Sequence, residues 1–316
     1  MFLVIYHANC NDGSLAAYLA CKHFEIDGIY PMAYGEALPR VFLELDEKDE
    51  VLIVDFSLTS EEYERLLSTG AKVRTVDHHE PKFEALRCMK EYPNHTLVLN
   101  ADLSGCEIVR NLFPPKKEDI SFPKDTLDAF VEMVGERDRG LLWRKDTPVQ
   151  IKENMEKYNA FLSTFGGIRE RVHSRYPNLI DLQVQKDRLI EGWEDIFDYS
   201  QYHVKGIGAR VIALNRARIK DLMGKVLELE KYCVVFSSEY QLFSDLGNEV
   251  AAKFKKPCII LYQKGFFSWG ASVRSNEDCE ISALEICEMF GGGGHKFAGG
   301  ISNLDKSQIE FLSQKE

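Results

Sequence analysis

The apolar positions in the first third of the chain fall into short blocks separated by stretches of helical character. Residues 2–6, FLVIY, form one unbroken apolar block, the pattern of a strand covered on both faces. Residues 12–24, DGSLAAYLACKHF, open on Asp-Gly and are rich in Ala and Leu, which predicts a helix. GIYPMAYG (28–35) predicts a second strand, and DEVLIVDFS (49–57) a buried third one that ends in Asp55. TSEEYERLLSTG (59–70) offers Thr59 or Ser60 as N-cap, acids in its first turn and Gly70 beyond its last, so it reads as a helix. AKVRTV (71–76) is the next strand, TLVLN (96–100) another, and SGCEIVRNLF (104–113) a helix. Strands that alternate with helices predict a doubly wound parallel α/β sheet.

From about 122 to 200 the pattern is mainly helical, and a second α/β block begins near Tyr202. There ARVIALN (209–215) reads as a strand, IKDLMGKVLELE (219–230) as a helix and YCVVFS (232–237) as a strand. LGNEVAAKF (246–254) reads as a helix, and PCIILY (257–262) with FFSWGASVR (266–274) as a hairpin around Gln263-Lys264-Gly265. ISALEICEMF (281–290) is a further helix, and the charged helix at 179–199 is the best candidate linker. A length of 316 residues exceeds one ordinary domain. The expected division is 1–178, a helical linker 179–201, and a smaller C-terminal α/β domain 202–316.

Composition narrows the class. Apolar residues at 45% and charged residues at 28% are ordinary for a soluble globular protein. MFLVIY is too short for a bilayer span or a signal core, so no membrane partner is expected. The cysteines are scattered with no CxxC pair, and they read as reduced thiols of a cytoplasmic protein. A net charge of −11 argues against duplex-specific binding. It leaves room for a small anionic substrate held by bound cations.

The candidate chemistry sits at strand ends. His7 follows the first strand, Asp55 ends the VLIV strand, and Asp77-His78-His79 follows AKVRTV. Asp12 opens the first helix, and Asp138 lies in VGERDRGLLW. Neighbouring strands run about 4.8 Å apart, so residues at adjacent strand ends can share a pocket. Taken singly, Asp12 reads as a helix cap, Asp55 as a turn former and Asp138 as a member of a salt-bridged loop. Taken together they form a donor set for a pair of divalent ions, which can clamp a phosphoryl group and activate water. The other unusual stretch is MFGGGGHKFAGG (289–300). Its glycines could form an anion-binding nest or a linker. Arg274 is a candidate phosphate fork or a hairpin-edge residue.

VDHHE, VLIVDFS, HANCNDGSLAA, SGCEIV, GERDRGLLW and GGGGHKFAGG together resemble the motifs of the DHH phosphoesterase superfamily with its DHH-associated C-terminal domain. The resemblance covers essentially the whole chain. It implies an active site in an interdomain cleft and two divalent ions, usually manganese, with magnesium or zinc as alternatives. One ion would take His7 and Asp55, and the other Asp12, Asp55, His78 and Asp138. Asp77 would orient a histidine, and His79 would contact the scissile phosphate or the leaving oxygen. Gly292, Gly293, Gly294, His295 and Arg274 would hold the far phosphate or a terminal base. Cys10 departs from the family, where many members carry aspartate. A thiolate suits zinc better than manganese, and Cys10 could also stay unligated.

The two-domain layout is similar to members that cleave very short oligonucleotides, nanoRNase-like, and linear or cyclic dinucleotides. Superfamily exonucleases of the RecJ type usually carry extra domains, and its pyrophosphatases lack the GGGGH signature. The expected substrate is therefore short single-stranded RNA or DNA, or a dinucleotide, and a homodimer is compatible with the sequence. A non-catalytic nucleotide-binding relative and a RecJ-type exonuclease are the alternative readings.

Overall fold

Strand β1 (Phe2–His7) sends alternate side chains to opposite faces of one sheet. Leu3 and Ile5 enter one apolar cluster, while Val4 and Tyr6 enter another. Both faces are covered, so FLVIY reads as a continuous apolar run and not as an alternation. The computed structural model describes residues 1–79, 86–87, 89–116, 122–144, 146–164, 177–265 and 268–313. Its contacts divide the chain into two units, Met1–Arg210 and Val211–Glu316.

In the first unit β1 joins β2 (Gly28–Met32), β3 (Glu50–Val54), β4 (Lys72–Asp77) and β5 (His95–Leu99). The order is β2-β1-β3-β4-β5, and every pair is parallel. The helices are α1 (Asn11–His23), α2 (Arg40–Leu43), α3 (Ser60–Leu67), α4 (Gly105–Leu112), α5 (Lys124–Asp138), α6 (Val149–Leu162) and α7 (Leu179–Phe197). Residues of α1, α4, α5, α6 and α7 share the Val4 and Tyr6 cluster, and α2 and α3 cover the opposite face. The fold is the expected doubly wound α/β sheet. Each fully buried Leu, Ile or Phe on these faces contributes roughly 2 kcal/mol.

Three boundaries differ from the sequence reading. Strand β2 stops at Met32, and Ala33–Glu36 form a turn in which Glu36 N–H donates to the Ala33 carbonyl at 3.1 Å. Residues 209–215 are not a strand but part of α8 (Gln201–Met223), which runs across the division between the units. Among the buried or half-buried positions of α8, 204, 208, 211, 215, 219 and 222 recur every three or four residues, a helical stripe that four adjacent apolar residues obscure. The helix predicted over 219–230 ends at Met223, and β6 (Leu227–Glu228) follows as a short strand. Helix α7, expected within the linker, is packed into the first unit. Leu182, Leu189, Trp193 and Ile196 are buried there, and Lys22 pairs with Glu194 at 2.5 Å.

The second unit, taken by itself, is a six-stranded mixed sheet. β7 (Cys233–Phe236) and β8 (Cys258–Gln263) run parallel, while β9 (Trp269–Arg274), β10 (Gly293–His295) and β11 (Ala298–Leu304) pair antiparallel. Helices α9 (Phe243–Phe254), α10 (Ala283–Met289) and α11 (Lys306–Ser313) complete it. The β8–β9 hairpin forms as expected, though Phe266 and Phe267 lie outside the described residues. The glycine run does not lie loose: Gly293–His295 is itself a strand, paired through Gly300 to Ala298. No helix among the described residues is long and apolar enough to cross a membrane.

Candidate metal centre

In the strand order β2-β1-β3 the chain's progress across the sheet reverses between β1 and β3, and open α/β sheets bind ligands in the crevice that this leaves. His7 is the last residue of β1, and Asp55 directly follows β3. Asp55 has φ +53°, a left-handed conformation uncommon outside glycine and tolerated best by Asn and Asp. Its N–H donates to the Val76 carbonyl at 2.9 Å, which ties the strained residue to the next strand.

The imidazole of His78 lies at the centre of the group. Its Nε2 stands 3.0 Å from Asp55 Oδ1, 3.1 Å from Asp138 Oδ2 and 3.8 Å from Asp12 Oδ2. His7 Nδ1 is 3.6 Å from Asp55 Oδ2. Burial opposes a charge on His78, yet Asp138 and Asp55 raise its pKa to about 11. Burial likewise works against the Asp55 carboxylate, but His7 and His78 hold it well below the usual carboxylate range. Asp12 shifts the other way, pushed up by burial and by the charges of Asp55 and Asp138. Three carboxylates thus converge where positive charge is needed.

Asp12 is held by the start of α4. Ser104 Oγ and the Cys106 N–H donate to Asp12 Oδ1, each at 2.9 Å, and the Gly105 N–H donates to Oδ2 at 2.6 Å. A helix N-terminus stabilises an anion there. A Cβ on Gly105 would come within 2.5 Å of Asp55 Cβ, so glycine at this position permits the close approach. The same turn carries a capping box between Ser104 and Glu107. Glu107 then pairs with Arg139 through two contacts, Nε at 2.9 Å and Nη2 at 3.1 Å. Arg139 follows Asp138, so this pair fixes the end of α5 that presents Asp138. Ser104, Glu107 and Arg139 were not singled out from the sequence as parts of the site.

Asp77 and His79 form a separate dyad. His79 Nδ1–H donates to Asp77 Oδ1 at 2.7 Å, and Asp77 also accepts from the His78 and His79 N–H groups and from Ser57 Oγ. Burial would lower the His79 pKa, but Asp77 raises it. The Glu80–Phe83 continuation of the Asp-His-His stretch lies outside the described residues, as does Cys88.

Cys10 occupies the N-cap of α1 but caps nothing with its side chain. Its thiol lies 4.0 Å from Asp138 Oδ1 and can join His7 and Asp55 in a three-donor group. Burial and then Asp55 push the thiol pKa well up.

The donor atoms fit divalent metal. His7 Nδ1, both carboxylate oxygens of Asp55 and His78 Nε2 are buried without a hydrogen bond among the described residues. Buried polar atoms are rarely left so, because each costs free energy. Imidazole, carboxylate and thiol can converge on an ion in three overlapping groups: His7, Cys10 and Asp55; Asp55, His78 and His79; and Asp12, His78 and Asp138.

In the second unit Arg274 folds along its own sheet. One Nη donates to Ser272 Oγ at 3.0 Å and to the Val273 carbonyl at 2.9 Å. A Cβ on Gly293 would meet nothing within 4 Å, whereas one on Gly292 or Gly294 would run into the Gly300 or Ala298 carbonyl. His295 is exposed.

Among solved structures, the exonuclease RecJ bound to manganese matches 99% of this chain and 88% of its own, at 18% identity and a TM-score of 0.55. The whole-chain fold is RecJ-like. RecJ in complex with Mn2+ from Thermus thermophilus matches 99% of this chain and 51% of its own, at 17% identity and a TM-score of 0.55. The pGpG-specific phosphodiesterase PggH from Vibrio cholerae matches 98% of this chain and 95% of its own, at 15% identity and a TM-score of 0.45. No family model and no curated protein matches the chain.

Proposed function

We propose that the chain is a divalent-metal-dependent phosphodiesterase that degrades short oligonucleotides, or cleaves linear or cyclic dinucleotides, to mononucleotides. The observation that carries this reading is the convergence of the buried donor atoms of His7, Asp55 and His78 on one another at the β1/β3 reversal, none of them in a hydrogen bond among the described residues. The RecJ-like fold, seen with Mn2+ in the RecJ structures, supports it. His7, Asp55 and Cys10 would hold one ion, and Asp12, Asp55, His78 and Asp138 the other, with Asp55 shared. Manganese is favoured over magnesium, and Cys10 leaves zinc open at the first position. Such ions polarise a phosphoryl group and ready water for attack.

The protein's own groups complete the chemistry. Asp77 fixes the His79 ring through Nδ1, so the other nitrogen can hold a proton for the departing alkoxide. Ser104 and the first turn of α4 donate hydrogen bonds to Asp12 and orient its carboxylate. In the second unit, Gly292, Gly293, Gly294, His295 and Arg274 would contact the remote phosphate or base.

The test is release of mononucleotide from 5′-labelled oligonucleotides of two, three and 24 residues with added manganese. The reading expects hydrolysis that needs the metal and is faster on the shorter chains. Faster turnover of the 24-mer would make the protein a RecJ-type exonuclease, and no hydrolysis of any length would sink the enzymatic reading.

A further inference from the structure

Tyr34 stands in a turn built to present it. The sequence Ala33-Tyr34-Gly35-Glu36 closes with the Glu36 N–H on the Ala33 carbonyl, and the Glu36 carboxylate accepts the Ala33 N–H at 3.0 Å. Gly35 has φ +86°, as the third residue of a type II turn requires. Nothing lies within 4 Å of a Cβ built on Gly35, so backbone shape and not crowding calls for glycine here. The turn is anchored to β1, because the Ala8 N–H donates to the Met32 carbonyl at 2.9 Å.

Tyr34 is 41% exposed, although Phe56 beneath its ring is buried. It leans on Phe56 with centroids 4.7 Å apart. It also stands edge-on to His7 at 5.3 Å and to His79 at 6.1 Å. A backbone hydrogen bond from Ser57 reaches its hydroxyl. An aromatic ring held by a closed turn, a ring neighbour and a tethered hydroxyl loses little entropy when a ligand packs on it. Solvent exposure of such a ring beside His7 and His79 has no packing purpose that the fold requires.

We propose that Tyr34 is a stacking platform for the nucleobase of the nucleotide whose phosphate is cleaved. The inference rests on the phosphodiesterase reading above. Stacking on an aromatic face is sequence-tolerant, since every base has a π-face. Tyr34 would therefore distinguish nucleotides from other phosphodiesters without choosing among the four bases.

The experiment compares Tyr34→Phe, Tyr34→Leu and the wild type on a dinucleotide and on its counterpart with an abasic residue at the position to be stacked. The proposal expects Tyr34→Phe to match the wild type. It expects Tyr34→Leu to lose about ten- to hundred-fold in kcat/KM on the dinucleotide, mostly through KM, with the abasic substrate unchanged. Equal losses on both substrates would reassign Tyr34 to supporting His7 and His79, and no loss on either would remove it from the site; each result overturns the proposal. Calorimetric binding of a mononucleotide against ribose 5-phosphate separates this inference from the reading beneath it. Base-dependent binding that Tyr34→Leu abolishes, in a wild type that hydrolyses nothing, keeps the platform and sinks the phosphodiesterase. Binding that ignores the base, in a wild type that does hydrolyse dinucleotides, does the reverse.

Discussion

The edge of the first sheet and the glycine hairpin of the second are both polar, but they are polar in opposite ways. At the first edge the carboxylates are taken out of water: Asp12, Asp55 and Asp77 are each no more than 1% exposed. The consequences are uneven, with Asp55 held ionised by histidines against its burial and Asp12 pushed toward protonation by burial and then by its acidic neighbours. In the hairpin, Gly293, Gly294 and His295 are all exposed, and the backbone is paired strand to strand. Buried charge is expensive and is kept only where something compensates it. Exposed backbone costs little and can adapt to what arrives. The contrast is consistent with the proposed division, in which the first region would carry the reaction and the second, at most, recognition.

The largest expected effect breaks the first region. Asp55→Asn removes one carboxylate while keeping size, and Asn tolerates the left-handed backbone that Asp55 adopts. Alanine would confound the result with strain. Partners that merely orient a ligand cost about 10- to 100-fold when removed, so loss of a shared ligand should exceed that, on the order of a thousandfold in turnover. Elemental analysis should show less bound metal with the circular dichroism unchanged. Near-normal turnover with manganese would dissolve the idea of a shared carboxylate.

Much of this was legible beforehand, for a physical reason. A strand covered on both faces is a block of apolar residues, and a strand end at a ligand crevice is a polar residue placed directly after such a block. His7, Asp55 and Asp77 are therefore visible in the sequence. Ser104 is not, because its importance lies in a contact with Asp12, 92 positions earlier. Arg139 looks like one of several charges in GERDRG until its pairing with Glu107 is seen. The helix α8 is hidden in the sequence because Val211, Ile212, Ala213 and Leu214 are consecutive, and a short apolar run does not declare its period. Tyr34 lies in a stretch that reads as strand, but the strand ends two residues before it.

A middle-sized effect sharpens the first region by loosening it without touching a donor. Arg139→Ala leaves Glu107 without its two-point partner and frees the end of α5 beside Asp138. Metal affinity should fall about 10- to 100-fold, with turnover following at subsaturating metal and largely restored at high metal. Arg139→Lys should recover only part of this, because an ammonium cannot reproduce the two-point contact of a guanidinium. Calorimetric titration with manganese measures both variants. An unchanged affinity in Arg139→Ala would show that Asp138 is positioned without this pair, or does not bind metal.

The smallest effect tests the hairpin, and it depends on choosing the right glycine. A Cβ on Gly294 would approach the Ala298 carbonyl to 2.4 Å, and φ there is +146°, so substitution damages the strand pair itself. Gly293 is different: its Cβ would point into open space, at an ordinary backbone conformation. Gly293→Val should therefore fold with a melting temperature close to wild type, while Gly294→Val should melt lower. If a phosphate or base approaches this backbone to hydrogen-bonding distance, about 2.7–3.2 Å, the valine at 293 obstructs it. KM for a dinucleotide should then rise several-fold to about tenfold, the size of one lost hydrogen bond. Hydrolysis of a small chromogenic phosphodiester that needs only the first unit should not change. An unaltered KM in a well-folded Gly293→Val would confine the hairpin to structure and leave recognition with the residues around Tyr34.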